Sequence, residues 1–260
     1  MPRYFIEVAY KGTNYSGFQI QQNANSIQSE VNRALKTFFR KDFELTGSSR
    51  TDAGVHALQN YFHFDISEQL NFENDFQYNI NSLLPGDIVI KNIFPVKDNA
   101  HCRFDAVSRE YKYFIYQKKD PFLQDIGYYF PYKLDVEKLN MAAQQILKYE
   151  DFNSFSKKNT QVKHFLCKVD KSEWVIEENK IVYIVIANRF LRGMVKGLVG
   201  TMLKVGTNKI SLNDFLNIIE NKNPAKADFS AAPRGLFLIA VNFNPDIFYS
   251  PVSPIFNLHK

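Results

Sequence analysis

The sequence predicts an α+β protein built on a central, mainly antiparallel sheet. Several short segments alternate apolar and polar residues, which is the pattern of half-buried strands, whereas other segments repeat apolar residues with the helical period. These strands and helices follow one another in two similar runs, one before and one after residue 106. With 260 residues, of which 45% are hydrophobic, the chain has material for one large domain or two small ones.

The first run is predicted to be strand, helix, strand, polar turn, strand, helix, strand. Strands are expected at residues 4–9, 43–46, 58–64 and 88–94. Ser26 is expected to cap a helix ending near Arg40, with these apolar positions inward: Ile27, Val31, Ala34, Leu35 and Phe38. A second helix, stopped by Pro85, is indicated by Phe72, Phe76, Ile80 and Leu84.

The second run begins with a strand at residues 110–116 and a helix at 135–148. A hairpin of residues 165–176 and 181–187, a helix at 190–205, a helix capped by Ser211 and a strand at 236–243 follow. A proline-rich segment, residues 250–256, is expected to be extended. We expect two α+β halves, residues 1–106 and 107–260, with an active cleft between them and no flexible linker.

The positive net charge of the chain is compatible with an anionic partner. Lys and Arg total 32 against 27 Asp and Glu, so the formal net charge is +5, which allows nucleic acid binding without requiring it. Arginines suit bidentate phosphate contacts, and six of them lie beside glycine-rich or polar segments: Arg50, Arg103, Arg109, Arg189, Arg192 and Arg234.

Several classes of protein lack sequence support. The two cysteines are far apart and form no CxxC pair, and the five histidines show no metal-ligand spacing, so no metal is expected. Neither dinucleotide-binding nor Walker-type glycine motifs occur, so no nucleotide cofactor is expected. The N-terminus lacks the apolar core of a signal peptide, and no window has the apolar length of a membrane span. These features predict a cytoplasmic protein.

The turn GSSRTDAGVHA, residues 47–57, is the leading candidate for a catalytic segment. Asp52 lies between Arg50 and Gly54, and the residues around it could equally form a plain hairpin. A carboxylate near a cation suits nucleophilic or acid–base chemistry, and the lack of a second acid nearby disfavours a glycosidase.

A glycine-rich helix offers a cation that could reach this turn. Gly193, Gly197 and Gly200 lie roughly on one face of the predicted helix, where close packing is the simplest explanation. If that face packs near the turn, Lys196, which is four residues after Arg192, could pair with Asp52.

The segment HCRFDAVSREYKYFIY combines arginines with tyrosines. Tyr111 and Tyr113 share one face of a strand, which is typical of core residues. Aromatic rings beside Arg103 and Arg109 could instead stack on an unpaired RNA base.

Seven blocks in the same order make the chain resemble the TruA-type tRNA pseudouridine synthases over nearly its whole length. They are YKGTNYSGFQ at 10–19, SRTDAGVHA at 49–57, NSLLPGDI at 81–88, RFDAVSREYKY at 103–113, DFNSF at 151–155, FLRGMVKGLVGTMLKVG at 190–206 and GLFLIAV at 235–241.

The resemblance implies the pseudouridine synthase fold, two related α+β halves that share an extended, mainly antiparallel sheet. It implies isomerisation of uridine to pseudouridine at positions 38–40 of the tRNA anticodon stem-loop, without metal or cofactor. It also implies a homodimer that holds tRNA in a basic cleft across both subunits.

The resemblance also implies roles for individual residues. Asp52 matches the catalytic aspartate, and Tyr111 matches the tyrosine that stacks on the target base. Lys196 stands where the family more often has an arginine that holds the aspartate ionised. Leu236 matches a wall of the uracil pocket, and Arg50 matches the arginine that fills the space left by the flipped uridine.

Four further residues are predicted to bind the RNA because they lie in matching blocks: Gln19, Arg103, Arg109 and Arg192. Two alternatives remain at this stage. The main one is a non-catalytic RNA-binding module of the same fold, and a more distant one is a hydrolase with an aspartate nucleophile.

Overall fold

The computed structural model describes residues 1–67, 70, 75–157 and 162–249. The strands among these residues are β1 (Arg3–Tyr10), β2 (Thr46–Gly47), β3 (His56–Asp65), β4 (Ile88–Val96), β5 (Ala106–Tyr116), β6 (Tyr128–Tyr129), β7 (Val169–Glu177), β8 (Lys180–Ala187) and β9 (Leu236–Phe243). The α-helices are α1 (Ile27–Phe39), α2 (Phe76–Asn81), α3 (Val136–Ile146), α4 (Met194–Gly206) and α5 (Leu212–Glu220).

All nine of these strands belong to one sheet. The main path runs β4-β1-β3-β9-β5-β8-β7, with β2 paired to β3 and β6 paired to β5. The pairs along this path are antiparallel except β3 with β9, where His56 lies opposite Phe237 and Ala57 opposite Leu238. The predicted α+β class with a mainly antiparallel sheet is therefore confirmed.

The β3–β9 contact joins the two runs of the chain. Strands β1, β3 and β4 come from before residue 97, whereas β5, β7, β8 and β9 come from after residue 105. A single sheet continues across the contact because the first residues of β3 and β9 lie side by side. Loops that precede these two strands are consequently brought to the same place.

Helix starts follow the predicted capping chemistry. The Ser26 hydroxyl accepts a hydrogen bond from the Ser29 N–H, and Ser211 and Asp135 accept in the same way at α5 and α3. The inward face predicted for α1 is confirmed, since Ile27, Val31, Ala34 and Leu35 are buried and Phe38 is partly buried.

Some predicted boundaries are wrong. Residues 43–45 are not a strand, because the ladder to β3 contains only Thr46 and Gly47, while the Leu45 carbonyl accepts a hydrogen bond from the Gln28 side chain. The helix predicted from residue 190 begins at Met194, because the φ of +74° at Gly193 is incompatible with a right-handed helix. Hairpin strand β7 begins at Val169 and not at 165. Phe72 and the segment 250–256 lie outside the described residues.

Gly197 and Gly200 of α4 allow close packing against a neighbouring segment, which is the simplest explanation given above for these glycines. A Cβ atom on Gly200 would lie 2.2 Å from the Asp228 carbonyl oxygen, and one on Gly197 would lie 2.8 Å from the Phe229 ring. The segment packed on this face is therefore residues 228–229. The Thr201 hydroxyl reinforces the contact by accepting a hydrogen bond of 2.9 Å from the Asp228 N–H.

No helix within the described part of the chain has the length and apolar character needed to cross a membrane.

We predict that Gly200→Ala destabilises the protein by about 1–3 kcal/mol, because the added methyl group overpacks the contact with residue 228. This loss should outweigh the gain of about 1 kcal/mol in helix propensity from replacing glycine by alanine. Urea unfolding gives the free energy directly. Gly86→Ala is the control, since a Cβ there meets no atom within 4 Å; equal stability of the two variants would contradict the packing assignment.

Candidate active site

Asp52 lies on a tight turn in the loop between β2 and β3. The Val55 N–H donates to the Asp52 carbonyl at 3.2 Å, and Gly54, the third residue of this turn, has a φ of +76°. This is the geometry of a type II turn, which favours glycine at that position. The Asp52 side chain is 29% exposed, so a substrate can reach it. The segment is thus both a hairpin loop and a platform for a reactive carboxylate.

A buried polar network holds this loop from the sheet side. The hydroxyls of Tyr10 and Thr51 share a hydrogen bond of 2.8 Å. The Asn60 side-chain amide donates to the Tyr10 hydroxyl at 3.1 Å and to the Ser49 carbonyl at 2.8 Å. The residues on both sides of Arg50 are therefore tied to β1 and β3, and these tied positions directly precede Asp52.

The segment 10–19 holds the same loop through its backbone. A Cβ atom on Gly12 would lie 2.0 Å from the Val55 carbonyl oxygen, so the two backbones are in direct contact. The Phe18 N–H donates to the Thr51 carbonyl at 3.1 Å, and the Phe18 ring stacks on Phe62 at 4.5 Å. Gln19 follows at the surface and is exposed.

Arg192 is the cation that contacts Asp52. Its Nε atom lies 3.9 Å from the Asp52 Oδ1 atom. Arg192 precedes α4, because that helix begins only at Met194. Lys196 is half-buried and forms no ion pair with any described residue; burial lowers its pKa, the charge of Lys157 lowers it further, and the charge of Asp52 opposes both. Asp52 thus interacts with Lys196 at longer range than with Arg192.

Tyr111 provides a buried phenol beside this carboxylate. It lies on β5 opposite Leu238 of β9, is 8% exposed, and makes an edge contact with Phe190 at 4.9 Å. Burial raises the pKa of Tyr111 to about 12, with the charge of Asp52 adding to the rise and that of Arg109 opposing it. The phenol is therefore protonated at neutral pH.

Leu236 is the first residue of strand β9. Its side chain is buried, and its backbone lies opposite Tyr113. The Tyr113 hydroxyl donates to the Ala232 carbonyl at 2.8 Å, which holds the turn before Leu236. A Cβ atom on Gly235 would lie 2.8 Å from the Tyr113 ring, so this ring packs directly on the backbone beside Leu236.

Three arginines form a basic patch near the Asp52 loop: Arg50, Arg103 and Arg189. Partial burial lowers the pKa of Arg103, and the charges of Arg50 and Arg189 lower it further, which places the three cations close together. In the described part of the chain, none of them forms an ion pair with a carboxylate. Uncompensated arginines beside a reactive carboxylate suit a polyanionic substrate.

Comparison with known proteins decides the family. The family model described as tRNA pseudouridine synthase matches residues 6–105 and 142–244. The chain belongs to the tRNA pseudouridine synthase family. It is therefore an isomerase that converts uridine to pseudouridine in tRNA, which excludes a non-catalytic binding module or a hydrolase as its description.

The sequence of this chain is similar to those of individual relatives over nearly their whole length. The chain is 46% identical to tRNA pseudouridine synthase A of Bacteroides fragilis over 247 residues, which are 95% of this chain and 98% of the relative. It is 42% identical to the Porphyromonas gingivalis protein of the same name, covering 95% and 100% of the two chains. The Staphylococcus aureus protein of that name is 38% identical, covering 91% and 89%.

Arg109 has a different position in this synthase from the other arginines. It is 8% exposed, and its guanidinium donates to the carbonyls of Arg103 at 2.6 Å, Asn188 at 2.8 Å and Ala106 at 3.1 Å. These contacts occupy the guanidinium with backbone oxygens. Arg109 thereby holds the turn that carries Arg103.

One group of possible metal ligands comes together although its spacing in the sequence did not indicate it. The ligand atoms of His63, His101 and Cys102 lie within 4.8 Å of one another. They already have partners: the Cys102 Sγ lies 3.2 Å from both His63 Nδ1 and the Thr46 carbonyl, and His101 Nδ1 accepts the Arg103 N–H at 3.1 Å. Burial raises the pKa of the Cys102 thiol and lowers that of His63 to about 4. The group is explained by packing.

Sequence reasoning missed the residues that hold the loop carrying Asp52. Tyr10 and His56 stand inside segments that were singled out, yet no role was predicted for them. Asn60 carried a usable signal, because an amide within an otherwise apolar strand must find hydrogen-bond partners when it is buried. Arg192 was predicted to bind RNA, whereas its contact in the structure is with Asp52.

We predict that Tyr10→Phe lowers the free energy of unfolding by about 1–2 kcal/mol, because Thr51 and Asn60 each lose a buried partner. Pseudouridine formation should also fall, since the loop carrying Asp52 is less restrained. Urea unfolding and a turnover assay measure the two effects. Tyr78→Phe is the matched control, as Tyr78 is 78% exposed; an unchanged stability in Tyr10→Phe would refute the network.

Proposed function

We propose that this synthase modifies uridines 38–40 in the tRNA anticodon stem-loop with Asp52 as its catalytic group. The observation that carries the proposal is the position of Asp52: a partly exposed carboxylate, on a loop restrained from two sides, beside a cation and a buried phenol. Such a carboxylate is presented to substrate with little conformational freedom left to lose.

The reaction exchanges one glycosidic bond for another. The bond from N1 of uracil to C1′ of the ribose breaks, the base turns, and C5 bonds to C1′. C5 then loses its proton and N1 gains one, so the product is an isomer of the substrate. Asp52 acts in its ionised form, whether it attacks the ring or the sugar or takes a sugar proton. The Arg192 cation lies 3.9 Å from the carboxylate and can balance its negative charge.

Tyr111 suits stacking on the target base. Its ring is buried at the base of the site and stays neutral at neutral pH because of its raised pKa. The Tyr111 phenol could accept the proton from C5 only after losing its own hydroxyl proton. Leu236 supplies the apolar wall on the opposite half, so we place the uracil between these two side chains, next to Asp52.

The basic patch is proposed to bind the RNA backbone. Arg103 and Arg189 would contact phosphates near the modified nucleotide, while Arg50, next but one to Asp52, would occupy the space left when the uridine leaves the stack. Gln19, exposed at the edge of the same loop, would contact the RNA beside it. Arg109 would act indirectly, by holding the backbone of Arg103.

At the level of the whole protein, we propose two halves, residues 1–106 and 107–260, with the cleft between them. We also propose a cytoplasmic homodimer that binds one tRNA across both subunits. The net charge of +5 and the resemblance to the family support these assignments. Sedimentation with and without tRNA tests the dimer: a monomer that retains full activity would contradict it.

We predict that Asp52→Asn abolishes pseudouridine formation while tRNA affinity stays within about threefold of the wild-type value, because the amide keeps the shape but cannot be an anionic nucleophile or base. Product is scored by nucleoside chromatography, since pseudouridine and uridine have equal mass. The substrate is an anticodon stem-loop whose only uridines are at positions 38, 39 and 40.

Two results would count against this assignment. Turnover by Asp52→Asn at the wild-type rate would remove Asp52 from the chemistry. Modification of full tRNA by the wild-type protein at other positions, with none at 38–40, would leave the isomerase intact but refute the proposed substrate positions.

We predict that Arg192→Ala lowers kcat about 10- to 100-fold, corresponding to about 1.4–2.8 kcal/mol, with a smaller change in tRNA affinity. Lys196→Ala should lower kcat less, because its charge acts on Asp52 from further away. Arg192→Lys should recover part of the loss by keeping the charge. Single-turnover kinetics and filter binding separate the two effects.

Comparing Arg192→Ala with Lys196→Ala shows which of the two cations contributes more to turnover. A larger kcat loss in Lys196→Ala than in Arg192→Ala would make Lys196 the main partner of Asp52. Equal losses in affinity and turnover for Arg192→Ala would instead show that this arginine binds a phosphate.

A further inference from the structure

His56 occupies the junction between the two parts of the sheet. It is the first residue of β3, lies 1% exposed, and pairs with Phe237 of β9 in the parallel contact. Its ring also stacks on the Phe237 ring, with centroids 4.4 Å apart and planes inclined by 25°. The imidazole is thus enclosed where the Asp52 loop enters the sheet.

Both ring nitrogens of His56 have partners of opposite kind. The Gly12 N–H donates to Nδ1 at 3.1 Å, and Nε2 lies 3.2 Å from the Arg234 carbonyl oxygen. An N–H can only donate and a carbonyl can only accept, so the contacts select the neutral ring with its proton on Nε2. Burial lowers the pKa of His56, and the charge of Lys11 lowers it further. The Arg234 carbonyl and the backbone and charge of Asp125 act in the opposite direction. The neutral form is therefore the native one at neutral pH.

These two hydrogen bonds lead to opposite sides of the site. On one side, Gly12 contacts the backbone of Val55, which closes the turn of Asp52. On the other side, Arg234 belongs to the short 3-10 turn Pro233–Gly235, which leads directly into Leu236.

A second contact spans the same gap. A Cβ atom on Gly54 would lie 3.0 Å from the Pro233 ring, so the Asp52 turn packs against the turn before Leu236. The His56 ring is hydrogen-bonded to Gly12, which contacts the Asp52 turn through Val55, and to Arg234 in the other turn. These two hydrogen bonds therefore link the two turns through one side chain.

We propose that His56 is a positioning residue that sets the separation of Asp52 from Leu236, and hence the alignment of the target uridine with the carboxylate. This inference rests on the proposed roles of Asp52 and Leu236. Because the phosphate contacts proposed above are made by other residues, Arg103 and Arg189, losing the His56 hydrogen bonds should impair turnover much more than affinity. Small displacements of reacting groups are costly to rate even when binding is unchanged.

Two substitutions separate the two hydrogen bonds. The His56→Gln side chain can place its amide N–H near the position of Nε2 and keep the link to Arg234, whereas His56→Asn can keep the acceptor for Gly12. We expect His56→Ala to lower kcat at least about tenfold with tRNA affinity within about threefold. His56→Gln should recover more of kcat than His56→Asn, because the Arg234 link is the one that crosses between the halves.

The control is a partly buried side chain that bridges two elements away from the site. Asn140 donates to the Trp174 carbonyl and accepts the Trp174 N–H, both at 2.8 Å, joining α3 to β7. Asn140→Ala should lower the free energy of unfolding but leave kcat unchanged. If His56→Ala merely destabilises the fold, its kcat at a temperature where both variants are folded will equal that of Asn140→Ala, and the inference is overturned.

A spectroscopic measurement on the free protein tests the geometry without turnover. Nitrogen-15 NMR of labelled histidine should show one ring, absent from His56→Gln, with unprotonated Nδ1 and protonated Nε2 at neutral pH. The opposite tautomer would overturn the inference while leaving the isomerase assignment intact. An active wild type with fully active His56 variants would do the same, whereas a wild type unable to modify any tRNA would instead overturn the proposed function.

Discussion

The short parallel contact between β3 and β9 is the constraint on which the rest of this structure depends. It joins strands from the two ends of the chain, so the loop after β2 and the turn before β9 meet at one point. Antiparallel ladders such as β5–β9 also join distant segments, but along the main path of the described sheet the β3–β9 contact is the one that connects β4-β1-β3 to β9-β5-β8-β7. The turn of Asp52 packs against the turn before Leu236 because His56 and Phe237 lie opposite each other in the parallel contact.

Around this junction the protein concentrates its buried polar groups. Tyr10, Thr51 and Asn60 restrain the catalytic loop from the sheet, and His56 restrains it from the side. Each would be costly to bury without a partner, and each is paired. The loop that carries Asp52 is therefore already ordered before a substrate binds, as the proposed role of this carboxylate requires.

The site combines one carboxylate with several arginines, a charge distribution that suits an RNA substrate. One carboxylate faces a partly exposed arginine at 3.9 Å, while the nearby phenol is kept neutral by burial. An ion pair this exposed contributes little to stability, about 0–1 kcal/mol, so it does little to hold the fold together. The basic patch of Arg50, Arg103 and Arg189 stays uncompensated by any described carboxylate and is thus available to phosphates.

The sequence by itself determined the α+β class and most helices and strands, and it singled out the segment that carries Asp52, because these follow from local periodicity, capping residues and contiguous motifs. The tertiary structure alone decided which cation reaches Asp52. Helix α4 starts after Gly193 and packs its glycine face on residues 228–229, so Arg192 in the preceding loop contacts the carboxylate and Lys196 does not. It also decided that Arg109 holds backbone carbonyls and that His56 bridges two turns. Such assignments depend on distances between segments far apart in the chain, which no local pattern encodes.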